Sequence, residues 1–138
     1  MIPGSFDYHR PSSVKEAVGL LAKLGEDARA IAGGHSLIPM MKLRLAAPSA
    51  LIDLAGIADL KGIKAEGNDV VIGAMTTQHE LLGSDLLSKK LPILAETSAL
   101  IADPQVRYVG TVGGNVANGD PGNDMPAVMI SPGSSAVK

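Results

Sequence analysis

The 138-residue chain is 46% apolar and 19% charged, and 12 Lys and Arg against 14 Asp and Glu leave a formal charge of −2. Such a length fits one compact domain or two small lobes, burying about 68–70% of the unfolded surface. The near-neutral balance provides no electrostatic footprint for nucleic acid, and Phe6, Tyr8 and Tyr108, the whole aromatic complement, cannot build a base-stacking platform. Cysteine is absent, which excludes disulfides, thiolate-held iron–sulfur clusters and a thiol nucleophile in this chain. No apolar run approaches about 18 residues, and the start Met-Ile-Pro-Gly-Ser-Phe-Asp lacks a basic region followed by an apolar one. A cytoplasmic protein with no membrane span and no signal peptide is expected.

The first third alternates strand and helix. Phe6-Asp7-Tyr8 reads as extended and stops at Pro11. Ser13 and Glu16 then have the spacing of a capping box, and Val14, Ala17, Val18, Leu21 and Ala22 recur at helical spacing as one buried face. Gly25 is placed to end this helix. Ala28-Arg29-Ala30-Ile31-Ala32 reads as a strand cut off by Gly33-Gly34, after which Ser36 is expected to cap a helix reaching about Leu45. Ala50 to Leu54 forms the third strand, so a β-α-β-α-β run with parallel pairing is expected.

The pattern changes after residue 55. Ile63-Lys64-Ala65 and Val70-Val71-Ile72 flank Glu66-Gly67-Asn68-Asp69 as a hairpin. Thr77 and Glu80 open a helix carrying Leu81, Leu82 and Leu86, and Pro92 opens another through about Ile101. Lys89-Lys90 is expected on a loop, Val106 to Val112 as a strand, and Asp124 at the start of an apolar helix. The expected division is a small α/β lobe over residues 1–57 and an incomplete second lobe over 58–130. Residues 131–138, rich in Ser and Gly, read as an atypical tail, and with it the chain reads as incomplete.

Two segments can carry chemistry. Ala32-Gly33-Gly34-His35-Ser36 lies between a strand and a helix, where paired glycines admit close approach and free amides can hold an anion. Thr111-Val112-Gly113-Gly114-Asn115, expected to follow a strand, offers a second run of amides with a hydroxyl and a carboxamide. Either pair alone is explained by turn geometry; together they suit a diphosphate, hence a dinucleotide. Neither matches G-x-G-x-x-G or G-x-x-x-x-G-K-[ST], so a Rossmann or P-loop site is not expected. Asn118-Gly-Asp120-Pro-Gly-Asn123-Asp124 reads as Asx turns or as a carboxylate source for ribose hydroxyls.

The histidines at 9, 35 and 79 lack metal-ligand spacing, and His35-Ser36 lacks a nucleophile elbow, so neither a metal site nor a catalytic residue is assigned. Met40-Met41 reads as core filler, and Arg107, just before the second glycine segment, as a surface charge, with pairing to a phosphate as the alternative.

The two glycine segments, followed by Asp124, resemble the flavin-binding subunit or domain of molybdenum hydroxylases. Met1-Ile-Pro-Gly, Ile72-Gly-Ala-Met-Thr-Thr77, Ile101-Ala-Asp-Pro-Gln105 and Gly119-Asp-Pro-Gly-Asn-Asp124 look most like the carbon monoxide dehydrogenase medium subunits within it. The resemblance implies an α+β fold of the vanillyl-alcohol-oxidase FAD-binding type, in which a small α/β lobe and a larger α+β lobe clamp FAD. It implies that Ala32, Gly33, Gly34, His35 and Ser36, with Thr111, Val112, Gly113, Gly114 and Asn115, hold the FAD diphosphate. Ile101 would then lie beside the cofactor, and Asp124 would bond ribose hydroxyls.

The resemblance also implies partners: a large molybdenum-cofactor subunit and a small subunit with 2Fe-2S clusters, in a dimerised heterotrimer peripheral at most to the inner membrane. FAD would pass electrons from the clusters to an external acceptor. Family members are roughly twice as long, so alternatives remain: a truncated, non-catalytic fragment without stable FAD, or the flavin subunit of a xanthine or N-heterocycle hydroxylase. A nucleotide-binding module without redox work is a third.

Overall fold

A computed structural model describes residues 1–130; the tail at 131–138 lies outside the described residues. Strands β1 (Asp7–His9), β2 (Ala28–Ile31) and β3 (Ala50–Asp53) form a parallel sheet in the order β1-β3-β2. Ala50, Leu51 and Ile52 are buried in succession, as a central strand covered on both faces requires. Ala50 and Ile52 share a core with Ala28, Ile57 and Ala17 of α1 (Val14–Leu24).

The helix meets the sheet through Ala17, Leu20, Leu21 and Leu24, an i, i+3, i+4, i+7 stripe. The expected face is therefore rotated: Val14 and Val18 are 45% and 58% exposed, one strip further round the cylinder. The helix start also departs from a reciprocal box. Ser13 accepts the Glu16 amide at 3.2 Å, whereas the Glu16 carboxylate receives the amide of Ser12, at 2.8 Å, rather than that of Ser13. At the far edge the Tyr8 hydroxyl donates to Asp53, tying β1 to β3. The bond raises the Tyr8 pKa, so the hydroxyl keeps its proton at neutral pH and loses it only as the pH becomes alkaline.

After β3, two 3-10 turns (Leu54–Gly56 and Ala58–Leu60) lead into an antiparallel hairpin of β4 (Ile63–Glu66) and β5 (Asp69–Ile72). Gly67 takes φ +60° at the first central position of its turn. Six helices follow: α3 (Gln78–Leu82), α4 (Asp85–Lys90), α5 (Pro92–Leu100), α6 (Pro104–Val109), α7 (Val112–Asn118) and α8 (Asp124–Ile130). Leu81, Leu87, Leu94, Val112 and Met125, from five of them, make a second core.

Three expectations change here. The helix opened by the Thr77–Glu80 capping box stops at Leu82, and Ser84, accepting the Leu87 amide, starts a separate helix that holds Leu86 and Lys89-Lys90. The stretch expected as a strand from Val106 is helical, because Asp103 caps the Val106 amide at 2.9 Å and Pro104 takes the first helical position. Local start signals thus outweigh the β preference of its branched residues. The second helix, α2 (Leu37–Lys42), ends earlier than Leu45 and has no Ser36 side-chain cap, since Ser36 is already in the right-handed helical region. Replacing Ile52, fully buried in the first core, by Ala is expected to lower the unfolding free energy by about 3 kcal/mol, read as a lower urea midpoint at unchanged slope.

Candidate functional site

The strand-like segment after β5 brings the two glycine segments together. Its residue Gly73 crosses Leu60 so closely that a Cβ would fall 2.3 Å from the Leu60 carbonyl oxygen, and Met75 N–H donates to that same oxygen at 2.7 Å. On its other side Gln78 N–H donates to Gly110 O at 2.9 Å, Val112 N–H to Thr76 O at 2.9 Å and Gly113 N–H to Ala74 O at 2.8 Å. Thr77 and Thr111 form the bridge between them. A Cβ on Gly113 would lie 2.6 Å from the Ala74 Cβ.

The first glycine segment seats on this layer. A Cβ on Gly33 would lie 2.3 Å from Val109 O and 2.9 Å from Gly110 Cα, and one on Gly114 would lie 3.1 Å from the Ala32 Cβ. Backbone therefore touches backbone at Gly73, Gly113 and Gly33, a spacing no side chain permits.

Against this seam lies a cleft of about 1060 Å³. Ala32, Gly33, Gly34, His35 and Ser36 line one side of it; Thr111, Gly113, Gly114 and Asn115 line another, and Ile101 also borders it. Val112 instead packs in the second core, and Asp124 sits exposed as the first residue of α8. Met41 is core, as expected of the Met pair, whereas Met40 is part-exposed and joins the cleft wall.

The two segments offer different chemistry. The amides of residues 33–36 have no acceptor among the described residues, and the Ser36 hydroxyl is free of a capping bond. In the second segment every amide from Val112 to Asn115 is already used: Val112 and Gly113 across the bridge, Gly114 on Thr111 Oγ1 at 3.1 Å, and Asn115 on Thr111 O at 3.1 Å. This segment is the first turn of α7 rather than a loop after a strand, which corrects the expected concave run of amides. Its contribution is a rigid wall and the Asn115 carboxamide, whose buried Oδ1 has no partner.

Among the described residues the lining holds only Arg29, Asp27 and His35 as ionisable groups, and the Arg29 guanidinium donates to the carbonyls of Glu26 and Ala28. An anion in this cleft is thus met by amides of the first segment rather than by a mobile cation. Four free amides and a free hydroxyl, beside a seam that forbids side chains, fit the diphosphate of a dinucleotide such as FAD. The orphaned Asn115 Oδ1, an acceptor, suits a hydroxyl or N–H of the same ligand.

Two residues of the site escaped the sequence. Gln78 is 2% exposed, borders the cleft and accepts a 2.8 Å bond from Ser98 Oγ. Its signal was a polar side chain three residues before Leu81, on the buried face of α3. Arg107, expected as a surface charge, donates to the carbonyls of Ala99, Ile101 and Ala102 at 3.2, 3.1 and 3.3 Å. It closes the end of α5 and holds the turn in which Ala102 takes φ +44° and Ile101 meets the cleft.

A family model described as the FAD binding domain in molybdopterin dehydrogenase matches residues 4–137. The chain belongs to this family. The match runs into the segment expected to be atypical. The carbon monoxide dehydrogenase medium chain of Afipia carboxidovorans is 74% identical over 129 residues, 94% of this chain and 45% of that protein. The medium chain of the same name from Hydrogenophaga pseudoflava is 58% identical over 131 residues, covering 95% of this chain and 46% of that one. A solved structure of reconstituted CO dehydrogenase from Oligotropha carboxidovorans superposes with a TM-score of 0.92 at 74% identity, covering 94% of this chain and 45% of that one.

The chain therefore spans a little under half the length of the curated relatives it matches. The α+β architecture expected for the family is the one observed. No helix among the described residues is long and apolar enough to cross a membrane, and no group of metal-ligating side chains occurs among them.

The seam and the α5 clamp give separate expectations. Gly33→Ala should destabilise the chain by about 1–3 kcal/mol in urea unfolding, because the first segment must lift off Val109. Arg107→Met should cost about 1–3 kcal/mol in the same measurement, through the carbonyls it releases.

Proposed function

We propose that this chain is the FAD-carrying part of a carbon monoxide dehydrogenase-like complex, with residues 1–57 and 58–130 as the two lobes that flank the cofactor. The observation that carries the reading is the pairing of free amides at residues 33–36 with the glycine seam at Gly33 and Gly114. Identity of 74% and 58% to two carbon monoxide dehydrogenase medium chains supports that assignment over the glyceraldehyde and xanthine dehydrogenase relatives, which are 40% and 34% identical.

In this reading Gly33, Gly34, His35 and Ser36 bind the diphosphate through their amides. Thr111, Gly113, Gly114 and Asn115 form the wall that fixes its path, and Ala32 and Ile101 pack beside it. Val112 and Asp124 enter the site through the resemblance alone, Asp124 as the ribose contact. FAD, when bound, supplies the redox chemistry that accepts electrons from the partner's clusters and yields them to an external acceptor. The chain's own side chains position and shield it. None is assigned as acid, base or nucleophile.

A large molybdenum-cofactor subunit and a small iron–sulfur subunit, in a dimerised assembly, complete the proposed path, because a chain without cysteine cannot hold thiolate-ligated clusters. The same reading places the assembly in the cytoplasm, with any contact to the inner membrane made peripherally.

Titration of the 138-residue chain with FAD, followed by flavin fluorescence quenching and retained yellow absorbance, is expected to saturate at one FAD per chain. ADP should compete through the shared diphosphate, with weaker affinity. A colourless chain that neither quenches flavin nor binds ADP would refute the assignment.

A further inference from the structure

Three buried side-chain atoms among the described residues lack a hydrogen-bond partner: His9 Nε2, Asn115 Oδ1 and Gln78 Nε2. Asn115 and Gln78 border the same cleft. Asn115 belongs to the second glycine segment, but Gln78 belongs to neither segment, and the resemblance assigns it nothing.

Gln78 is held more firmly than a surface glutamine. Its amide is stapled to Gly110 O at 2.9 Å, one residue before Thr111, and its Oε1 receives the hydroxyl of Ser98, itself fully buried on α5. With backbone and carbonyl both fixed, the –NH2 end is left without an acceptor. A buried carboxamide donor with no partner costs stability, and a fold that keeps one beside a ligand cleft has a use for it.

The geometry points to Gln78 as a ligand-positioning donor, its Nε2 giving a hydrogen bond to an acceptor oxygen of the bound dinucleotide. This rests on the cleft being the FAD site. Ser98 serves it by anchoring the carboxamide through Oε1. The staple to Gly110 sets Gln78 beside the Thr111-to-Asn115 wall, so both bear on the same stretch of ligand.

The test compares wild type with the double variant Gln78→Met, Ser98→Ala, which replaces both partners of the buried pair by apolar groups. Removing the orphan should leave the apo thermal midpoint unchanged or raised, while FAD binds about ten- to a hundredfold more weakly. A merely structural glutamine would instead lower midpoint and affinity together. Gln78→Glu keeps the shape and the Ser98 bond but turns an acceptor toward the ligand, so its FAD affinity should also fall. It serves as the decisive variant if the double variant fails to fold.

Parallel titrations with ADP and FMN divide the ligand: loss with ADP assigns the acceptor to the adenosine-diphosphate half, and loss with FMN alone to the flavin half. FAD affinity within twofold of wild type in either folded variant overturns the proposal, as does tighter binding by Gln78→Glu. Failure of the wild-type chain to bind FAD overturns the proposed function first and this inference with it.

Discussion

The site depends on backbone lying directly against backbone. Three stretches of chain, around residues 60–62, 73–78 and 109–114, run side by side, and the first glycine segment closes over the last of them. At Gly73, Gly113 and Gly33 an added Cβ would come within 2.3 to 2.6 Å of another atom. A methyl group at any one would separate layers that hydrogen bonds require to touch. The cleft is the space left beside this stack, and at Gly33 and Gly113 its wall is bare of side chains.

From that constraint the division of labour in the site follows. The Thr111-to-Asn115 segment is consumed in holding itself together: its amides close the bridge and the first turn of α7, and it becomes a wall. The Ala32-to-Ser36 segment, seated on that wall and too short to satisfy its own amides, is left to meet a ligand. Arg107 fixes the end of α5 so that Ile101 borders the cleft. The cleft is thus bordered on these two sides chiefly by main chain and small residues.

What could be read from sequence was whatever is decided within a few residues. The Thr77–Glu80 capping box, the proline at the start of α5 and the hairpin around Gly67 involve neighbours in the chain, and each forms as expected. The glycine pairs were visible as composition, but not that one would be spent internally, since their partners Ala74 and Val109 lie 39 and 76 residues from Gly113 and Gly33. Gln78 was hidden because its anchor Ser98 is 20 residues away. Arg107 looked like a solvated charge because its acceptors are carbonyls, which leave no trace in side-chain pattern. The helix α6 was missed for another reason: the valines around Tyr108 favour a strand, while the cap at Asp103 and the packing of α6 on α3 decide otherwise.

A cradle made of amides has a consequence for how its ligand arrives. Amide dipoles act over a few ångströms, whereas a cluster of lysines or arginines would project a field well beyond the protein surface. Arg29 and Asp27, of opposite sign in the same lining, leave this cleft little net field to send out. For the diphosphate proposed above, capture here would be unsteered and only weakly dependent on ionic strength. Selectivity would then arise after contact, where the ligand meets a wall that glycine backbone keeps free of side chains at Gly33 and Gly113.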